Sequence, residues 1–315
     1  EQHAPRSRAA ATPVNFYCHE SVIVARAIVK CSMTAFTTLI DAATLAARLH
    51  RHDLAIFDCR FDLANTGWGE AEYAAAHIPG ATYAHLDRDL SGPVTPATGR
   101  HPLPDPHTFA QWLSAKGVSD DTQLIAYDQG NGAYAARLWW LARWVGLRSV
   151  AVLDGGFTAW RAAHLLLETE AHVRPPGWLT PRIDTRAWLT SEAVDDLRQR
   201  PGNLLVDARG AERFAGRNET LDAVAGHVPG ARNHPFFGNL GVDGRFLGRE
   251  SLHQRWSVML GSLPPSAVIA MCGSGVTACH NLLALEHAGL PGGRLYAGSW
   301  SEWIRDARRP IATGR

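Results

Sequence analysis

The chain has 315 residues, of which 46% are hydrophobic and 19% charged, and its 31 Lys and Arg nearly balance its 30 Asp and Glu. This length predicts two domains, because a single hydrophobic core rarely grows beyond roughly 250 residues. The even charge, without a basic block that carries interleaved aromatics, argues against nucleic acid as a partner. No apolar run reaches the roughly 18 to 20 residues that cross a bilayer, so we expect a globular protein with no membrane partner.

The N-terminal segment, residues 1–34, differs from the rest of the chain. It mixes arginines with short apolar stretches, and Arg26 interrupts the one candidate hydrophobic region of a secretory signal. We expect this segment to be an N-terminal extension outside the fold, with a targeting or interaction segment as the alternative.

The five cysteines, at positions 18, 31, 59, 272 and 279, are odd in number and include no C-x-x-C pair. This pattern argues against a disulfide framework or a zinc ribbon and favours a reducing, cytoplasmic compartment. Cys18, Cys31 and Cys59 have no supporting motif, and we expect them to be structural or incidental.

Four motifs occur twice in the same order, which indicates a duplicated domain. The D-x-R motif recurs at an offset of 149 residues and the H-[IV]-P-G-A motif at an offset of 150. The four pairs are Phe57–Arg60 with Val206–Arg209, His77–Ala81 with His227–Ala231, Leu124–Asp128 with Val268–Cys272, and Gly156–Trp160 with Gly298–Trp303. We therefore predict one domain over 35–171 and a second over 186–315, joined by a proline-rich linker over 172–185.

Each predicted domain alternates short apolar runs with helical patterns. In the second domain, residues 204–206 and 268–271 are predicted to be buried strands, and residues 278–289 a helix that stops at Gly289. This alternation predicts an α/β fold in which each domain has a mainly parallel sheet flanked by helices.

The loop from Ala270 to Ala278 carries the strongest chemical signal. Cys272 follows a predicted strand, and ligand sites in open α/β sheets form at the carboxyl ends of strands. The glycines at 273 and 275 permit a backbone turn whose N–H groups, with the helix start behind them, stabilise a thiolate. The alternative, that Cys272 is a small buried hydrophobic residue, does not account for the glycines.

The other residues of these loops show which half does the chemistry. The position equivalent to Cys272 in the first half is Asp128, so that half is predicted to lack thiol chemistry. Cys279 lies seven residues after Cys272, and we expect it to pack inside the domain, with a resolving thiol as the alternative.

The C-G-S-G-V-T-A loop, the paired H-[IV]-P-G-A and D-x-R motifs and the closing residues 298–303 resemble the rhodanese superfamily, and within it the 3-mercaptopyruvate sulfurtransferases. The resemblance covers about residues 35–313. Thiosulfate-type rhodaneses typically place basic residues at the positions held here by Gly273 and Ser274. The resemblance implies two tandem rhodanese-like domains and an enzyme that moves sulfur through a Cys272 persulfide to a thiol, thioredoxin or cyanide, with no metal or organic cofactor.

The resemblance also implies roles for individual residues. Ser274, His101 and Asp87 match a catalytic serine, histidine and aspartate set, and Arg213 matches an arginine that binds the donor's carboxylate. The backbone of the cysteine loop is expected to contribute to substrate binding through Gly273, Gly275, Val276 and Thr277.

One position departs from the mercaptopyruvate pattern. The second substrate arginine of these enzymes corresponds here to Thr220. Arg217 is one substitute for it, and a pocket that accepts thiosulfate equally well is the other interpretation. Thiosulfate sulfurtransferase is therefore the alternative function.

The cysteine loops argue against two further classes of protein with this fold. Phosphatases of this fold carry an arginine six residues after the cysteine, and that residue here is Ala278. A non-catalytic rhodanese-like binding module would be expected if both loops had lost their cysteine, and only the first has.

Overall fold

Two parallel β-sheets organise residues 35–314, which are the residues that the computed structural model describes. The expectations for residues 1–34, including Cys18 and Cys31, lie outside this range. Every strand pairing within the two sheets is parallel.

The first sheet has five strands in the order β1-β5-β4-β2-β3. All five residues of β2 are buried, as expected for a parallel strand covered on both faces. The strands are β1 (Leu39–Ile40), β2 (Leu54–Asp58), β3 (Ala81–Tyr83), β4 (Gln123–Tyr127) and β5 (Val150–Leu153), and the helices are α1 (Ala42–Ala46), α2 (Trp68–Ala75), α3 (Pro106–Ala115), α4 (Ala135–Trp144) and α5 (Gly156–Ala162).

The second sheet has five strands in the order β6-β10-β9-β7-β8. Its strands are β6 (Trp188–Leu189), β7 (Leu204–Asp207), β8 (Arg232–Asn233), β9 (Val268–Met271) and β10 (Arg294–Tyr296), and its helices are α6 (Ser191–Leu197), α7 (Ala211–Phe214), α8 (Arg249–Leu260), α9 (Thr277–His287) and α10 (Ser299–Trp303). Two short 3₁₀ helices, Phe236–Asn239 and Pro265–Ala267, complete it.

The strand order of one sheet repeats that of the other, which confirms the predicted pair of α/β domains. The repeated D-x-R motif makes the same buried ion pair twice, with Nη2–Oδ2 distances of 2.6 Å for Arg60–Asp58 and 2.7 Å for Arg209–Asp207. Each arginine also donates to the backbone carbonyl of the residue directly before the following H-[IV]-P-G-A segment, Ala76 in the first half and Gly226 in the second. The motif therefore braces the turn that precedes the next strand.

The predicted elements of the second half agree with the structure to within two residues at their ends. Strand β9 has the predicted bounds, β7 runs one residue further, and α9 starts at Thr277 and ends at His287. Gly289, at φ = +77°, follows the helix in the left-handed conformation that favours glycine. The predicted linker, residues 172–185, contains no helix or strand.

The two halves pack through α4 and α9, and one hydrophobic cluster holds residues of both. Trp139 of α4 and Leu283 of α9 are buried in this cluster. Because α4 follows strand β4 and α9 follows strand β9, this packing brings the loops at the carboxyl ends of these two strands together. Among residues 35–314, no helix is both long and apolar enough to cross a membrane.

Candidate active site

Cys272 begins the loop between β9 and α9, and only 2% of it is exposed. The Gly275 N–H donates a hydrogen bond to Cys272 Sγ at 3.1 Å. Gly275 has φ = +79°, and a β-carbon on it would lie 2.2 Å from the carbonyl oxygen of Ala297. The turn that directs this N–H at the sulfur therefore requires glycine, as the sequence predicted.

Helix α10 fixes the loop from the opposite side. The N–H groups of Trp300 and Ser301 donate to the carbonyls of Cys272 and Gly273 at 3.0 and 2.8 Å. The Ser299 hydroxyl accepts from the Cys272 N–H at 3.0 Å and donates to the Tyr296 carbonyl at 2.8 Å. Ser299 has φ = +53°, a conformation that serine rarely adopts, so this cradle is held under backbone strain.

The three residues expected to act together do lie together. His101 Nδ1 is 2.7 Å from Ser274 Oγ, and His101 Nε2 is 3.1 Å from Asp87 Oδ1. A carboxylate only accepts hydrogen bonds, so Nε2 carries the proton and Nδ1 accepts from the serine hydroxyl. The chain of contacts therefore runs from Asp87 through a neutral imidazole to Ser274.

The titration of this chain follows from burial. Burial lowers the pKa of His101, and the hydrogen bond to Asp87 only partly opposes it. The hydrogen bond with His101 lowers the pKa of Asp87. At neutral pH the histidine is therefore uncharged and the aspartate ionised, which is the state that the hydrogen bonds require.

Arg213, predicted to bind the donor's carboxylate, lies on α7 beside the cysteine loop. Its side chain is 23% exposed and contacts two buried carboxylates. Its Nη2 atom lies 2.8 Å from Glu219 Oε1 and 3.1 Å from Asp222 Oδ2. Neither acid was predicted as a partner of Arg213.

A second guanidinium at the site, that of Arg100, was not predicted. A β-carbon built on Gly273 would lie 2.8 Å from Arg100 Nη2 and 3.4 Å from Arg213 Nη2. The two cations therefore occupy the space that a side chain at position 273 would need. Burial lowers the pKa of Arg100, and the negative charge of the Cys272 thiolate opposes this effect.

These groups surround a cavity of about 370 Å³ formed by residues of both halves. Gly273 lies in its wall, as do the loop residues Val276 and Thr277 that were expected at the binding site. The charged and reactive side chains that line it are Arg100, His101, Arg209, Arg213, Cys272 and Ser274. Phe236 and Phe237 supply apolar surface.

The corresponding loop of the first half is filled by its own acid. The Asp128 carboxylate is fully buried and accepts from the N–H groups of Gly130, Gly132, Tyr134 and Ala135 at 2.9 to 3.3 Å. The N–H of Phe157 donates to the Asp128 carbonyl just as that of Trp300 does to the Cys272 carbonyl. Burial raises the pKa of Asp128, and the four N–H donors partly oppose this effect. The nest at this half therefore holds a carboxyl group in place of a thiol.

Cys279 and Arg217, both singled out in the sequence, have their contacts outside the cavity. Burial raises the pKa of Cys279 to about 12, and its thiol donates to the Gly275 carbonyl at 3.3 Å, so it packs as expected. Arg217, the candidate substitute for the missing arginine, does not line the cavity of Cys272 in this structure. Its guanidinium pairs with Glu212 at 2.5 Å and lines a different cavity.

Arg137 of α4 was also missed by the sequence analysis. Its fully buried guanidinium donates to the carbonyls of His101 and Gly275 at 3.2 and 3.3 Å. It also donates to the carbonyls of Leu90 and Pro102. One side chain therefore ties the histidine loop of the first half to the cysteine loop of the second.

No group of three or more His, Cys, Asp or Glu side chains within residues 35–314 is arranged to hold a metal ion. The cavity presents a thiol, the guanidinium groups of Arg100, Arg209 and Arg213, and the serine and histidine of the serine–histidine–aspartate chain.

Two tandem α/β domains, with a cysteine loop in the second and contributions from the first, define a tandem rhodanese-type protein. A model of the Rhodanese-like domain matches residues 41–163 and again residues 190–306, and the chain belongs to this family. A Pseudomonas aeruginosa protein named "Probable 3-mercaptopyruvate sulfurtransferase" is 51% identical over 88% of this chain and 98% of its own length.

Other relatives are named after one of two sulfur donors, thiosulfate or 3-mercaptopyruvate. The thiosulfate sulfurtransferase of Cricetulus griseus is 33% identical over 81% of this chain and 86% of its own length. The structure of 3-mercaptopyruvate sulfurtransferase from Leishmania major is similar with a TM-score of 0.78 and 32% identity, covering 87% of this chain and 76% of that one.

Proposed function

We propose that this protein is a sulfurtransferase that moves sulfur from 3-mercaptopyruvate to a thiol or to cyanide through a persulfide on Cys272. The observation that carries the proposal is the environment of the Cys272 sulfur. It accepts an N–H hydrogen bond and borders a cavity whose lining includes the Ser274–His101 pair and the two guanidinium groups that lie against Gly273.

The first half-reaction uses Cys272 as the nucleophile. Its thiolate attacks the sulfur of mercaptopyruvate, an S–S bond forms, and the C–S bond breaks with its electron pair left on the carbon. The leaving group is the enolate of pyruvate, which takes up a proton to give pyruvate. We assign proton handling to the Ser274 hydroxyl and to His101, with Asp87 orienting the imidazole.

The donor's carboxylate is assigned to Arg213 and Arg100. A guanidinium fork suits a planar carboxylate, and both cations lie against Gly273, next to the nucleophile. Arg100 thus supplies the second cation that Thr220 cannot. The loop residues Gly273, Val276 and Thr277 line the proposed donor site, and the Gly275 N–H donates to the sulfur beside it.

In the second half-reaction an acceptor attacks the outer sulfur, and Cys272 leaves as a thiolate. Cyanide would give thiocyanate, and a thiol would take the sulfur as a persulfide. Thioredoxin, with two thiols, would release it as sulfide and would itself be oxidised to the disulfide. Such acceptors fit a cytoplasmic location, which the free thiols of Cys59, Cys272 and Cys279 also favour.

Thiosulfate remains the alternative donor, because guanidinium groups also fit its sulfonate oxygens. Two observations favour mercaptopyruvate. The cysteine loop has Gly273 and Ser274 where thiosulfate-type enzymes carry basic residues, and the Ser274–His101 contact serves a leaving group that needs a proton.

The test is Cys272→Ser, with Cys279→Ser as the matched control. We expect the first variant to lose transfer from every donor while remaining folded and the second to keep it, because burial raises the pKa of Cys279 to about 12. Mass spectrometry after incubation with donor should find one added sulfur on the peptide that contains Cys272. Substantial activity in Cys272→Ser, or sulfur on Cys279, would refute the proposal.

A further inference from the structure

A buried carboxylate lies between the two guanidinium groups of the proposed donor site. The side chain of Asp222 is 3% exposed. Its Oδ1 atom accepts from Arg100 Nη1, and its Oδ2 atom accepts from Arg213 Nη2 at 3.1 Å. Each oxygen is therefore committed to a different cation.

The same two cations face the reacting cysteine. Arg100 and Arg213 approach Gly273 from the cavity side, where a β-carbon would meet both. An anionic group that binds both guanidiniums must therefore share them with Asp222. The Asp222 carboxylate is 3% exposed, and Coulomb interactions of a buried charge at short range are less screened than those in water.

The position of Asp222 is fixed by its neighbours. Glu219, 2% exposed, accepts from the Asp222 N–H at 3.1 Å and from the Leu221 N–H at 2.9 Å. Glu219 is itself held by Arg209 and Arg213 at 3.3 and 2.8 Å. The Asp222 carboxylate is therefore a built part of the site.

We infer that Asp222 sets the charge of the donor that this site accepts, favouring a singly charged donor over a doubly charged one. The inference rests on the proposed function. Repulsion between Asp222 and a donor grows in proportion to the donor's charge. Mercaptopyruvate carries one charge, on its carboxylate, because its thiol is largely protonated at neutral pH. Thiosulfate carries two, so it is penalised about twice as much in free energy.

The experiment compares both donors in wild type and in Asp222→Asn, which keeps the shape and removes the charge. We expect kcat/KM for mercaptopyruvate to rise about 3- to 10-fold, and that for thiosulfate to rise by roughly the square of this factor, about 10- to 100-fold. Glu212→Gln is the matched control, because it removes one charge from an exposed pair with Arg217 in a different cavity. The control should leave the ratio of the two donors unchanged.

Equal gains for the two donors, or a loss for both in a folded variant, would overturn the inference. Asp222→Ser serves as a second variant if Asp222→Asn unfolds, as judged by circular dichroism.

Binding separates this inference from the proposed function. In the Cys272→Ser background, calorimetry gives the dissociation constants of mercaptopyruvate and of thiosulfate without transfer. Adding Asp222→Asn should lower the constant for thiosulfate more than that for mercaptopyruvate. Absence of persulfide in the wild type would refute the function alone, whereas an unchanged ratio of dissociation constants would refute the role of Asp222 alone.

Discussion

His101 Nδ1 and Ser274 Oγ are 2.7 Å apart, although 173 positions separate the two residues in the chain. The histidine belongs to the first half, and the serine lies two residues after the cysteine of the second. The proposed proton path therefore crosses the boundary between the halves, and the first half is more than a scaffold.

The first prediction concerns this pair. Ser274→Ala and His101→Ala should slow mercaptopyruvate turnover about 10- to 100-fold, a typical loss for general acid–base assistance. Thiosulfate should suffer much less, since sulfite leaves without a proton. Steady-state kinetics with both donors on one preparation make the comparison. Equal losses would indicate general damage to the loop and contradict the proton-handling role.

The second prediction concerns Arg213. Arg213→Ala should lower kcat/KM for an anionic donor roughly 10- to 100-fold through the loss of a charge-assisted contact. It should also lower the free energy of unfolding by about 1 to 3 kcal/mol, because Glu219 and Asp222 each lose one of two cations in a buried setting.

The two buried carboxylates that contact Arg213 are the reason to expect a loss of stability as well as of activity. Arg213→Lys is the matched variant, because it keeps the charge and loses the planar fork. It should recover more stability than activity. A drop in melting temperature with unchanged kinetics would exclude Arg213 from donor binding.

The third prediction concerns His280, which joins the halves. Its Nε2–H donates to the Asn131 carbonyl at 3.0 Å, and Asn239 Nδ2 donates to its Nδ1 at 3.3 Å. The contact at Nδ1 requires the neutral ring, because a protonated imidazole has no acceptor. Burial lowers its pKa to about 3. Between pH 6.5 and 3 the unfolded chain binds a proton that the folded chain does not, so stability falls as pH falls in this window.

The contribution is about 1.4 kcal/mol per pH unit, or about 2 kcal/mol between pH 6.5 and 5. Urea unfolding at pH 7 and pH 5 measures it. His280→Gln should be less stable at pH 7 but lose less on acidification, whereas His50→Gln, at an exposed position, should behave like wild type. An unchanged pH dependence in His280→Gln would contradict the assignment.

The fourth prediction concerns Asp128. Asp128→Asn keeps one carbonyl oxygen for two of the four N–H donors and turns an amide group towards the other two. We expect a loss of about 2 to 3 kcal/mol in the free energy of unfolding, from denaturant titration. Asp121→Asn, at an exposed site, is the control. A change of less than about 0.5 kcal/mol would show that the nest does not depend on the charge.

The sequence predicted the repeat, two strands of the second half and the place of Cys272 after a strand, because these depend on apolar runs and on glycines at tight turns. Strand β9 was predicted residue for residue. The residues taken from the family resemblance were those carried by motifs, such as Ser274 and His101.

The acids around the site were not predictable. Glu219 and Asp222 lie in an irregular segment between α7 and β8, and their partners are set by tertiary packing. Arg100 directly precedes His101 in the chain. Its position next to a predicted site residue was the feature that could have identified it as part of the site. A serine does not predict a positive φ, so the strained backbone of Ser299 could not be predicted from its residue type. Gly156, at the equivalent position of the first half, has the same φ of +53°.

Arg137 couples the packing of the two halves to the geometry of the site. Its guanidinium bonds the His101 carbonyl on one side and the Gly275 carbonyl on the other, and it extends from α4, which packs on α9. The loops that carry the proposed nucleophile and the proposed proton relay therefore share one anchor in the interface between the halves. We expect a substitution that tilts α4 against α9 to change the His101–Ser274 distance. Such a substitution would alter the rate of transfer without contacting the donor.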